Sequence, residues 1–222
     1  MADGGERGTG DPGVVEGVVL DEDPYGPRPT WRGWLHFAAF LVVLPAGLYL
    51  LTVAESVGAR VAVAIYWASL AGLFATSASY HRLARTQRSV LWFRRADHSM
   101  IYVLIAGTYT PLCLIALPRI WGIPMLVVAW VTALAGVILK MVRLGVGDKS
   151  SGSWLYIVMG WGAVITLPVL VTSLDVAQLV LLGVGGVLYT VGAVILGRKR
   201  PDPSPTRFGY HAAQLVRRGE FG

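Results

Sequence analysis

Ser77 and His81 lie four residues apart at the end of one long apolar run, and Asp97 and His98 stand at the start of the next. A serine and a histidine at that spacing share one face of a helix. Between the two pairs the chain reads RLARTQRSVLWFRR, with five arginines. Much later, the stretch FGYH brings in His211. Imidazole nitrogens and a carboxylate are a donor set that suits zinc, with a serine in support behind the ligands. A zinc ion with one open position lowers the pKa of a bound water to about 7 and makes it a nucleophile. The residue types therefore suit metal-assisted hydrolysis, provided the chain gathers them. A second reading stays open here. His81 and Asp97 also suit an interfacial role, hydrogen-bonding between helices, because their spacing is not a compact motif of the HExxH kind.

The elements that must position these residues are written in the composition. The chain has 222 residues, 55% hydrophobic and 14% charged, whereas a soluble domain carries about 25% charged residues. Its apolar residues fall in runs of about 20, the length that crosses a bilayer. This predicts an all-α, polytopic transmembrane helix bundle with spans over 33–53, 60–83, 96–117, 121–141, 154–172 and 177–196. Residues 1–30 are polar, are rich in Gly and Pro, and carry Asp21, Glu22 and Asp23. They read as a disordered acidic tail rather than a signal peptide. Pro45, Pro111 and Pro168 fall inside spans and are expected to kink them. Ala68, Gly72 and Thr76, and likewise Ala71, Ala75 and Ser79, give the second span two faces of small residues that let neighbours come close. The lone Cys113 forms no intramolecular disulfide and no cysteine metal site; it reads as a small buried hydrophobe.

Basic residues set the expected orientation. Arg82, Arg85, Arg88, Arg94 and Arg95 follow the second span; Lys140, Arg143 and Lys149 follow the fourth; Arg198, Lys199, Arg200 and Arg207 follow the sixth. The opposite loops hold Arg60 and Arg119. The positive-inside rule then places the even loops and the N-terminus in the cytoplasm. The net charge of +6 is accounted for by these loops and does not argue for a nucleic-acid partner. The same topology brings His81, Asp97 and His211 to one membrane level. His36 lies beside Arg32, Trp31 and Trp34 and reads as an interfacial histidine. Lys140 and Arg143 read as snorkelling to the headgroups. Tyr102, Thr108 and Tyr109 suit either packing or a cavity lining.

Several stretches together carry a resemblance. SASYHRL resembles the serine-x-x-x-histidine segment of helix two in the hemolysin III family, and ADHSMIYVLIAGTYTP is similar to that family's helix-three motif. RGWLHFAAF, LYIVMGW, GGVLYTVGAVI and FGYH resemble its first, fifth, sixth and seventh helices. The likeness covers about residues 31 to 211 and divides the chain into the tail 1–30, a membrane domain 31–211 and a divergent tail 212–222. The family belongs with the progestin and adiponectin receptors. It implies seven helices around a zinc site at the cytoplasmic side of a bacterial cell membrane, and a proposed hydrolysis of lipid amides or esters. By motif position, the resemblance makes His81 and His211 zinc ligands, Asp97 the holder and base of the zinc-bound water, and Ser77 their support.

One departure bears on the site. The family's seventh helix begins with two histidines four apart, whereas here position 215 is leucine. The residues after His211 are too few for a span and include Arg217, Arg218 and Glu220. A truncation or frameshift just after His211 would produce this pattern. The expectation is a weakened or absent zinc site, unless Asp97 serves as a direct ligand. His98 is a poor substitute, since adjacent helical residues point about 100° apart. Two other functions compete with a membrane hydrolase whose partner is a membrane lipid. One is a non-catalytic receptor or regulator of membrane lipid composition. The other is cytolysis, ranked last because the spans show no polar stripe suited to a wide aqueous pore.

Overall fold

The computed structural model describes residues 30–143 and 154–198, and every element within them is helical. Helix α1 covers Thr30–Val53, α2 Val57–Arg82 and α3 Gln87–Pro111, followed by a π-helical turn, Leu112–Ala116. Next come α4 at Arg119–Arg143, α5 at Trp154–Trp161, a 3-10 turn at Gly162–Thr166, α6 at Leu167–Ser173 and α7 at Val176–Arg198. Five helical segments are long and apolar enough to cross a membrane, and α7 carries a shorter apolar stretch, Val176–Gly192. The chain is a polytopic helical membrane bundle. The expected six spans map onto these segments, with α5, the 3-10 turn and α6 together making the fifth.

Local chemistry explains the boundaries. The Ser56 hydroxyl accepts from the Ala59 amide and caps α2. Thr86 and Ser89 satisfy each other's backbone amides in a reciprocal cap that starts α3. Asp175 and Gln178 do the same for α7. Such caps supply partners for amides that have none inside the helix. The prolines act differently from one another. Pro45 sits within an unbroken α1. Pro111 ends α3, and the next residues widen into a π turn closed by the Leu117 amide on the Leu112 carbonyl, 3.1 Å. Before Pro168 the chain tightens into the 3-10 turn, where the Leu167 amide reaches the Val164 carbonyl. The 3-10 turn gives the Val164 carbonyl, which Pro168 cannot serve for lack of an N–H, a new donor.

The helices run alternately up and down. Trp67 donates its indole N–H to the Val43 carbonyl at 2.9 Å and packs on Gly47, locking α2 to α1. Gly107 seats Ser69, and Gly72 faces Met100, fixing α2 against α3. The small face carrying Gly72 does allow the close approach expected of it. Gly136 seats the fully buried Tyr102, and the Trp130 indole donates to the Thr110 hydroxyl, fixing α4 against α3. The core gathers on this side, around Tyr102, Ala106, Tyr109, Cys113, Ala133, Tyr156 and Leu170. Much of the remaining apolar surface is exposed along α1, α4 and α7, as a lipid-facing bundle requires.

Candidate functional site

The start of α1, the end of α2, the start of α3, the end of α4 and the start of α5 meet at one end of the bundle, where the arginines cluster. The contact of α1 with α2 there depends on Gly33. A Cβ at that position would stand 2.9 Å from the Cβ of His81 and 2.8 Å from Cγ of Arg82. Glycine lets the two helices touch. One turn on, His36 enters the contact. Its Nδ1 is 2.6 Å from the Ser77 hydroxyl, and its ring lies edge-on to His81, with centroids 6.3 Å apart at 71°. Phe74 and Tyr80 flank the two imidazoles at 5.8 and 5.0 Å. The Arg82 guanidinium lies 3.8 Å over the Trp34 ring and 5.1 Å from that of Phe37. Ser77 is buried, while His36 and His81 are half-buried.

Two corrections follow for residues read from the sequence. His36 is more than an interfacial histidine: it is hydrogen-bonded to Ser77 and shares the His81 wall. The signal was present, because the start of the first span and the end of the second lie at the same membrane level. The tryptophans and arginine beside it masked that signal. Asp97 and His98 do not open α3, which begins ten residues earlier, at Gln87. In the first turns of α3 the short apolar run 90–93 is bracketed by arginines, so hydropathy alone does not join it to the span, and Arg88, Arg94 and Arg95 belong to the helix rather than to a loop. The register moves accordingly. Phe93 packs in the cluster of Tyr80, Ala84 and Val90, and Met100 meets Gly72. Asp97 then falls level with Ser77, about one turn deeper than His81.

His98 is held at both its ring and its backbone. Its Nδ1 donates to the Arg94 carbonyl at 2.9 Å, and its own carbonyl accepts from the Tyr156 hydroxyl at 2.9 Å. Lys140 contradicts its sequence reading. It does not snorkel: its side chain is 1% exposed, with Nζ 5.3 Å from the centroid of the Tyr156 ring. Its neighbour on the same helical face, Gly136, is covered by Tyr102, so the lysine follows that seam inward. The Tyr102 ring packs on that of Tyr156, the Thr108 hydroxyl donates to the Ile105 carbonyl, and Tyr109 donates to the Met159 carbonyl. Cys113 is buried in the π turn, as a small hydrophobe would be.

His211 and the tail 212–222 lie outside the described residues. Among the described residues no group of three or more His, Cys, Asp or Glu side chains is close enough to hold a metal. What they supply is an imidazole pair with a buried serine hydroxyl. Imidazole nitrogen is a zinc donor, and a zinc site here would need ligands beyond these residues. An apolar cleft of about 400 Å³ between Leu50, Val63 and Ile115 lies at the opposite end, near Glu55, and does not reach these residues.

Known proteins bear on this arrangement. The sequence model of the family described as Haemolysin-III related matches residues 26–213. The Hemolysin-3 homolog of Bacillus subtilis (strain 168) is 35% identical over 162 residues, covering 72% of this chain and 75% of the relative. Hemolysin-3 of Bacillus cereus is also 35% identical over 162 residues, covering 72% and 73%. The matched span takes in every described helix, together with His36, Ser77, His81 and Asp97, so the chain belongs to the hemolysin III family of multi-pass membrane proteins.

Proposed function

We propose that the chain is a zinc-dependent hydrolase of a lipid amide or ester, working at the cytoplasmic face of a bacterial cell membrane. The observation that carries this reading is the wall formed by His36, Ser77 and His81, with Asp97 level with it across the bundle. His81 and His211 would hold the metal, with Asp97 close enough in level to complete the set or to orient water. Bound zinc would supply a Lewis acid and a water acidic enough to attack at neutral pH. The protein's own part is positional. Ser77 engages His36 and so fixes the ring that borders His81. Asp97 would accept the proton of the attacking water. Phe74 and Tyr80 keep the histidine wall apolar, and the exposed apolar surface of the helices admits the lipid tail from the side.

Zinc per chain in the detergent-purified protein tests this reading, with His81→Ala beside it. The expected result is about one zinc in the wild type and none in the variant, with release of the lipid's acyl chain that disappears in Asp97→Ala. Zinc without turnover, together with a stability loss in His81→Ala, would favour a structural metal in a receptor or regulator. No zinc in either protein would end the hydrolase reading for this chain.

A further inference from the structure

The cleft at the far end of the bundle plays no part in the proposed chemistry. Its volume is about 400 Å³, inside the range of about 300–1,000 Å³ that small-molecule sites occupy. Leu50 and Val53 of α1, Val63 of α2 and Ile115 form its apolar walls. Ile115 belongs to the π turn that follows α3, a widening of the kind that recurs at functional positions in helices. Ala59 and Val63 lie four residues apart, share one face of α2 and line the cleft together. From Ser56 at its mouth to Val63 the cleft descends about 10 Å, at about 1.5 Å per residue of helix.

Two opposite charges stand at this mouth. Glu55 lines the cleft in the link between α1 and α2 and is exposed. Arg60, also exposed, donates from Nε to the carbonyl of Ala54, a lining residue, at 3.0 Å. That bond meets a carbonyl left over at the end of α1 and fixes the guanidinium beside the cleft. It occupies one edge of the group. The terminal amino groups of Arg60 and the carboxylate of Glu55 take no ion pair or hydrogen bond among the described residues.

Apolar walls with a fixed cation and an anion at the rim suit an amphiphile that carries both charges. A guanidinium grips phosphate oxygens with paired N–H groups. A carboxylate accepts hydrogen bonds from a primary ammonium, whereas a quaternary ammonium has no N–H to give. An anionic headgroup would set its excess charge against Glu55.

We infer that the cleft binds a membrane phospholipid whose headgroup carries a primary amine. Its acyl chain lies between Leu50, Val63 and Ile115, its phosphate meets Arg60 and its ammonium meets Glu55. The site is at the opposite end of the bundle from His36, Ser77 and His81, so the inference does not rest on the hydrolase reading.

Native mass spectrometry of the full chain in detergent tests it. The probe is an equimolar mixture of phosphatidylethanolamine, phosphatidylcholine and phosphatidylglycerol with identical acyl chains. Phosphatidylethanolamine is expected to be retained roughly threefold over each of the others, the worth of an exposed ion pair expressed as a ratio of affinities. Glu55→Gln removes its advantage over phosphatidylcholine. Ala59→Trp fills the cleft and removes the preference altogether, and Arg60→Gln lowers the retention of all three lipids. Equal retention by the wild type overturns the inference. So does a preference for phosphatidylglycerol, which would mean that Arg60 reads anionic charge alone. A phosphatidylethanolamine preference that survives both Glu55→Gln and Ala59→Trp places the lipid elsewhere on the bundle and also overturns it. If Arg60→Gln fails to accumulate because α1 loses its cap, the other two variants decide, since Glu55 is exposed and Ala59 borders open space. His81→Ala is expected to keep the lipid preference, so the hydrolase reading and this site can fail separately.

Discussion

The glycines of α2 to α4 and those of α7 sit in helices of similar apolar composition, yet they meet very different surroundings. A Cβ at Gly107 would stand 2.8 Å from the Cβ of Ser69, and one at Gly136 would stand 2.6 Å from three atoms of the Tyr102 ring. At Gly183, Gly185, Gly186 and Gly192 of α7, a Cβ would meet nothing within 4 Å. Val180, Leu181, Val187 and Leu188 are exposed beside those open positions. In the first region glycine is required by close packing; in the second it only weakens a helix. The candidate site is built on the first region. His36, Ser77, His81 and Asp97 all project from helices held at glycine contacts, where about 1 Å of displacement would separate the donors. The inner edge of α7 is fastened by Leu179, which packs on the core, and by Tyr189, whose ring packs on Gly160 and whose hydroxyl donates to the Tyr156 carbonyl.

The comparison is broken most directly at Gly136. Gly136→Val must displace the fully buried Tyr102, which has no free direction in which to swing. Overpacking of this kind costs about 3 kcal/mol. The expected outcome is a midpoint lower by roughly 6–12 °C, or loss of monodisperse protein on size exclusion. A wild-type midpoint would show that α3 and α4 are less tightly joined than the structure has them.

Trp67→Phe probes the α1–α2 seam that carries His36. It keeps an aromatic ring over Gly47 and removes only the N–H bond to the Val43 carbonyl. Hydrogen bonds between membrane helices are worth about 0.6 kcal/mol on average and rarely reach 2. A drop in midpoint of a few degrees, with zinc content unchanged, is expected. A loss of zinc without a loss of stability would instead connect this seam to the site.

The smallest effect is expected at Gly186. Gly186→Ala adds a methyl group where space is open and removes a residue that disfavours helix by about 1 kcal/mol in water. Its midpoint should match the wild type or rise slightly. A clear fall would mean that another surface covers this face of α7 in the membrane, and a concentration-dependent mass in detergent would identify a second copy as that cover.

Much of the fold was legible in the sequence, for plain reasons. Apolar runs of spanning length have one solution in lipid, since every backbone group must be satisfied within its own helix. The spans therefore come out close to the observed helices, and Ser77 and His81 share a face because four residues make about one turn. The boundary of α3 was less legible. Thr86 and Ser89 begin a helix whose first turns carry Arg88, Arg94 and Arg95 around a short apolar run, and a hydropathy criterion starts the span only at Ala96. His36 was underread for a related reason. Trp31, Trp34 and Arg32 read as membrane-interface residues, and His36 was grouped with them although its Nδ1 meets the Ser77 hydroxyl. The zinc reading draws on motif positions, and the His211 part of it lies beyond the described residues.

Composition and spacing by themselves determined that this is a helical membrane protein with its ionisable residues concentrated at one end. They determined it because the bilayer penalises any other placement of charge and backbone. Which of those residues meet was decided only by tertiary structure. Whether Lys140 reaches for water or turns inward depends on the Gly136–Tyr102 seam and on the Tyr156 ring, contributed by helices distant in sequence. Whether His36 is an anchor or a wall of the site depends on Gly33 letting α1 lie against the end of α2. A side chain's type fixes what it can donate, accept or neutralise, but its partner is set by which helices touch, and at what register.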